Sequence, residues 1–100
     1  MSARFTLKKI IRPETLRTLA GSLIYERGEF YAQHEKVVTL TEEAEIILAQ
    51  VQGGQLYEVK LWRRGAKLQY TCNCPFAAEG AFCKHCVAVG LQWVDSKRVE

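Results

Sequence analysis

Cys72-Asn73-Cys74-Pro75 and Cys83-Lys84-His85-Cys86 gather all four cysteines and one of the two histidines of a 100-residue chain into fifteen residues. Thiolates and an imidazole at short, fixed spacing are the donor set of zinc. Cys72, Cys74, Cys83 and His85, a C-x-C-x8-C-x-H arrangement, fill a tetrahedral shell with no open position, as in a structural ion rather than a catalytic one. Residues two apart on a strand share a face, so Cys72 and Cys74 can reach one ion from a strand end. Two residues apart on a helix diverge by about 200°. Cys83 must therefore precede the helix that His85 begins.

The same residues admit other chemistry. Cys86 stands three after Cys83 and can replace His85 as fourth ligand, since helical geometry accepts that spacing. Cys83-x-x-Cys86 at a helix start also has the form of a redox motif. That reading leaves Cys72 and Cys74 unexplained and lacks the strand–helix–strand unit such motifs follow. Cysteines buried singly as small apolar residues are common, but they do not cluster with a histidine in this way. Cys86 is assigned to the core and His34 to an exposed helix end.

Length and composition suit one soluble domain, spanning 1–100, able to bury a modest core. No apolar run approaches the ~20 residues of a membrane span, and the first residues lack a signal-peptide core. The expected setting is intracellular and reducing, where clustered cysteines bind metal rather than form a disulfide framework. Charge is uneven. Residues 1–20 carry five cations against Glu14, residues 26–58 seven glutamates against Arg27 and Lys36, and residues 59–78 four cations and no acid.

Hydrophobic periodicity supplies the elements that hold the cluster. Residues 1–12 show no strong pattern, and Phe5, Leu7, Ile10 and Ile11 suit a strand or an anchored arm. Pro13 fits a first helical position, with Leu16, Leu19 and Ala20 at helical spacing and Gly21 as a stop. Ser22 can cap a second helix from Leu23 to about Gln33, so residues 13–34 form a helical part. Gly28 inside that helix costs roughly 1 kcal/mol relative to alanine, which implies close backbone packing or a break. The period then changes. Val37–Leu40, Glu45–Gln52, Gln55–Trp62 and Ala66–Cys74 read as strands, with turns at Gly53-Gly54 and Arg63-Arg64-Gly65. Tyr57, Val59 and Leu61 share one face of their strand, and Leu68, Tyr70, Cys72 and Cys74 share one face of theirs. Pro75 ends the last strand, residues 77–80 form a loop, and an apolar helix covers about Lys84–Val94. The fold class is α+β: N-terminal helices, an antiparallel meander of three to four strands over 37–71, and a zinc-clasped C-terminal helix.

At this point the residues resemble a known family. Cys72-Asn73-Cys74-Pro75 followed by Phe82-Cys83-Lys84-His85 and Val87-Ala88-Val89 is similar to a SWIM zinc finger, the matching block covering about 57–94 and the finger with its leading hairpin 57–95. Tyr25–Tyr31 resembles the helix found ahead of this finger in bacterial proteins. The resemblance implies one structural zinc on Cys72, Cys74, Cys83 and His85, and binding of DNA or other proteins. It also implies a place beside helicase-like ATPases, although nothing in this sequence resembles their catalytic parts.

Partner residues can be sought on the surface this clasp fixes. Lys60, Trp62, Arg63, Arg64 and Lys67, with Lys84 near the metal, form a candidate nucleic-acid contact of cations around a stacking aromatic. The acidic stretch favours a protein partner instead. The expectation is thus a binding module, not an enzyme, with DNA, RNA or a protein as partner and no small-molecule substrate or membrane.

Overall fold

Proline and glycine punctuate the helical part. The computed structural model describes residues 6–98, so Phe5 lies outside the described residues. Helix α1, Leu7–Ile10, is a single turn capped by the Thr6 hydroxyl, which accepts from the Lys9 amide. It buries Leu7, Ile10 and Ile11, anchoring the arm as a helical turn rather than a strand. Helix α2, Pro13–Ala20, begins at its proline. Gly21, at φ +86°, ends α2 and caps α3, Ser22–Gln33. Ser22 is therefore the first helical residue and makes no side-chain cap. Gly28 does not break α3. A Cβ there would lie 2.3 Å from Val87 Cγ1, so the glycine permits the close crossing of α3 over the last helix.

Four strands follow: β1 Val37–Glu43, β2 Ile46–Gln52, β3 Leu56–Arg64 and β4 Lys67–Cys72. They form an antiparallel meander in the order β1-β2-β3-β4. β1 runs three residues beyond the expected Leu40, with a bulge between Val37 and Thr39. Its turn into β2 is Ala44-Glu45, both at positive φ, a tight-hairpin conformation normally given to Asn or Gly. Helix α4, Lys84–Lys97, lies across the inner sheet face and against α2 and α3. Ile47, Ala49, Val51, Val59, Leu61 and Leu68 meet Val87, Val89 and Trp93 in one core. The outer sheet face is left to solvent.

One polar contact ties the two layers together. Glu42 lies on the inner face of β1, opposite Ile47. Its carboxylate accepts from Trp93 Nε1 at 2.9 Å and pairs with Lys97 Nζ at 3.2 Å. The Trp93 hydrogen bond, and then Lys97, hold the carboxyl below its ordinary value near 4.5 against the opposing effect of burial. A lowered folded value stabilises the protein above the unfolded value, and the stabilisation is lost as pH falls through the folded one. Glu42→Gln is expected to cost about 1 kcal/mol at pH 7, below the usual ~1.5–3 kcal/mol for a charged hydrogen bond because the group is partly solvated. The difference in melting temperature from wild type should shrink from about pH 5 downward. A pH-independent difference would contradict this.

Candidate metal centre

Inward parity on β4 carries Leu68, Tyr70 and Cys72 toward the helices. Cys72 is the last strand residue, opposite Val59. The strand thus stops two residues short of the expected Cys74. Asn73 extends the pairing past that point by another route: its Oδ1 accepts from the Glu58 amide at 2.9 Å, and its own amide donates to Glu58 O at 3.4 Å. An amide side chain standing between two cysteines is a sequence signal for this, and it sets the direction in which Cys74 leaves the sheet.

Pro75 then adopts a helical backbone and opens a 3₁₀ turn, Phe76–Glu79, where a plain loop was expected. The Ala77 amide donates to Cys74 Sγ at 3.4 Å. Gly80, at φ +87°, closes the turn, and its carbonyl accepts from the Tyr70 hydroxyl at 3.2 Å. Phe82 is buried edge-on against Tyr70, with ring centroids 4.7 Å apart. Cys83 is the N-cap of α4 in extended conformation, and His85 stands in the first turn, as the geometry of the pair demands.

The structure brings the Cys72, Cys74 and Cys83 sulfurs and a His85 nitrogen within 4.8 Å of one another. His85 Nδ1 is 3.7 Å from both Cys72 Sγ and Cys83 Sγ. Bonds of about 2.3 Å to sulfur and 2.0–2.1 Å to nitrogen in a tetrahedron require donor separations of roughly 3.5–3.8 Å. The residues present therefore fit one zinc ion. The imidazole is fixed for this: its ring stacks on Tyr57 at 4.5 Å and meets Tyr31 edge-on at 5.4 Å. Nε2 is buried without a hydrogen-bond partner, leaving Nδ1 to face the sulfurs. Gly53 brings the β2–β3 hairpin over the same ring, where a Cβ would sit 3.4 Å from Nε2.

Cys74, Cys83 and His85 are buried and Cys72 is half-buried. Hydrogen bonds from Cys72 and then Cys86 pull the Cys83 thiol well down, against burial. Cys72 is pushed up by its hydrogen bond to Cys83 and by burial, and Cys86 rises for the same reasons. A divalent cation must displace the protons of its thiol ligands, so metal affinity rises with pH. Cys86 lies outside the four-donor cluster although its sulfur is 3.8 Å from that of Cys83.

Fold and donor set define a Cys₃His zinc finger in which a strand end and a helix start share the ion. Residues 57–91 match the family model of the SWIM zinc finger; the chain carries a SWIM-type finger there. Neither the curated proteins nor the solved structures give a match.

The candidate nucleic-acid residues do not converge on one surface. Lys60, Trp62 and Arg64 alternate on the outer face of β3, and Lys67 pairs with Arg64 across the hairpin. Lys60 Nζ lies 5.1 Å from the Trp62 ring centroid. Arg63 is inside the strand rather than in a turn, and parity sends it to the face of Val59 and Leu61. There it pairs with Glu45 at 3.2 Å and donates to Gly65 O at 3.3 Å. Lys84 belongs to the helical layer, its Nζ 5.6 Å from the Tyr31 ring centroid. His34 caps the end of α3, exposed, with Nδ1–H donating to Phe30 O at 2.9 Å.

Proposed function

We propose that the chain is a zinc-stabilised module that binds single-stranded nucleic acid on the outer face of its sheet. The observation that carries this is the grouping of Lys60, Arg64 and Lys67 around Trp62 on a face that no described helix covers. Cations placed beside an accessible aromatic ring suit a flexible strand, with phosphates taken by Lys and Arg and a base stacked on the indole. A groove of about 390 Å³ adjoins the platform toward β1, with Glu58 among its lining residues beside Thr39, Gln50 and Lys60. Glu43 and Glu58 share this face and confine polyanion contact to the corner formed by β3 and β4.

The zinc acts at a distance in this reading. It joins the end of β4 to α4 and so holds the β3–β4 hairpin rigid. A filled four-ligand shell has no position for a substrate, which supports reading the module as a binder. A helicase-like ATPase, in the same protein or as a partner, is the neighbour that the family resemblance suggests. No described helix is long and apolar enough to cross a membrane.

Titration of the zinc-loaded protein with oligo-dT and oligo-U, read by Trp62 fluorescence, tests the proposal. Log affinity should fall steeply with log salt, and Arg64→Ala with Lys67→Ala should reduce the slope by about 1.4, some 0.7 per lost phosphate contact. Arg63→Ala should lower stability and leave the slope unchanged. Absence of binding at low salt would remove this reading and leave a protein-interaction module, which the acidic stretch favours.

A further inference from the structure

Cys86 is the cysteine that the ligand set leaves over. It is fully buried in the first turn of α4, and its sulfur is 3.8 Å from that of Cys83. Cys83 is the N-cap and Cys86 the third helical residue, so the pair brackets the helix start at i, i+3. Side-chain rotation alone must close the gap to the ~2.05 Å of a disulfide. Cys72, the half-buried ligand, offers the way in from solvent, and its sulfur is within 4.8 Å of the other donors.

We propose that Cys83–Cys86 is a site of oxidative modification by peroxide, with Cys86 as the resolving thiol that locks the oxidised zinc clasp as a Cys83–Cys86 disulfide. The Cys72 thiolate attacks hydrogen peroxide, breaking the O–O bond and becoming the sulfenic acid as hydroxide leaves. The Cys83 thiolate attacks that sulfur, forming the Cys72–Cys83 disulfide and releasing a second hydroxide. Cys86 then attacks the Cys83 sulfur, Cys72 departs as thiolate, and the Cys86 proton goes to hydroxide. In sum, one thiolate, one thiol and one peroxide give a disulfide, one water and one hydroxide. Peroxide is reduced and two sulfurs are oxidised. The Cys72–Cys83 disulfide withdraws two ligands; the exchange returns Cys72 and keeps Cys83 withdrawn, so the metal site stays incomplete. A thiol present only as packing would have no part in any of these steps.

The test uses zinc-loaded wild type, Cys86→Ala and Cys86→Ser, each first shown by native mass spectrometry to hold one zinc. Each is treated with hydrogen peroxide, zinc release is followed with a chromogenic chelator, and disulfides are mapped after trypsin. Cleavage after Lys84 separates Cys83 from Cys86, so their disulfide appears as a linked peptide pair that reductant splits. Wild type should release zinc together with this pair, and reductant plus zinc should restore the starting state. Both variants should stop at the Cys72–Cys83 disulfide, which lies within one tryptic peptide, and show no linked pair. A final wild-type disulfide that does not include Cys86 would overturn the proposal. So would loss of zinc binding in Cys86→Ala, which would make Cys86 a ligand.

Discussion

Stripping the metal with a chelator is expected to abolish amide protection over residues 72–85 while β1–β3 and residues 86–94 keep most of theirs. Structural zinc in small fingers is worth roughly 10–16 kcal/mol, comparable to the ~5–15 kcal/mol that holds a whole domain together. The sequence alone suggests that all of 72–95 would be released. The packing divides that stretch at His85. Beyond it, Cys86, Val87, Ala88 and Val89 are fully buried and Trp93 is 3% exposed, so this part of α4 is the centre of the core and does not depend on the ion for contacts. Before it, the backbone rests on few bonds: Asn73 to Glu58, Ala77 to Cys74 Sγ, Gly80 to Ala77. Hydrogen exchange read by mass spectrometry resolves the two halves. Cys83→Ser should reproduce the chelated pattern with zinc present, because it removes the ligand at the N-cap. Unchanged protection over 72–85, or simultaneous loss across the whole chain, would contradict this.

The metal site was legible because its constraints are local. Strand parity set Cys72, and the 100° step of a helix set Cys83 outside it. The Cys74 position was not legible by the same rule, since Asn73 replaces a backbone partner with a side chain at the strand end. The sheet order followed from short turns, and most strand limits from alternation. The β1–β2 turn escaped because Ala44 and Glu45 carry no turn signature; their positive φ is held by the hairpin and by the pairing of Glu45 with Arg63. That pairing joins the β1–β2 turn to the neighbouring strand β3, and it also explains why Arg63 was misplaced. A cation next to a glycine reads as a hairpin tip, whereas the ladder continues through Arg64 to Lys67 and only Gly65-Ala66 turns. The end of α3 is a parallel case. Glu35, at φ +58°, takes the position usually given to glycine, and the Lys36 amide closes the helix on Tyr31 O.

Gly28→Ala is expected to lower stability by about 2–3 kcal/mol, although helix propensity alone favours alanine by roughly 1 kcal/mol. A new Cβ would stand 2.3 Å from Val87 Cγ1, 2.4 Å from Val87 Cβ and 3.1 Å from the Lys84 carbonyl oxygen. Rotating Val87 relieves only the first of these. Its Cβ and the carbonyl move only with the backbone of α4, so the two helices must separate. For a domain of this size the loss corresponds to a melting temperature about 10–20 °C lower. Val87→Ala should not rescue the variant, because it keeps the clashing Cβ; Val87→Gly should recover part of the loss attributable to the clash. Gly54→Ala, where a Cβ meets nothing within 4 Å, is the control and should be close to neutral. Lys84 and Val87 flank His85 on the turn that would be displaced, so Gly28→Ala should also weaken zinc binding in competition with a chelator. A helix that α3 merely touched would show the stability change without the change in metal affinity; the crossing at Gly28 makes the two inseparable.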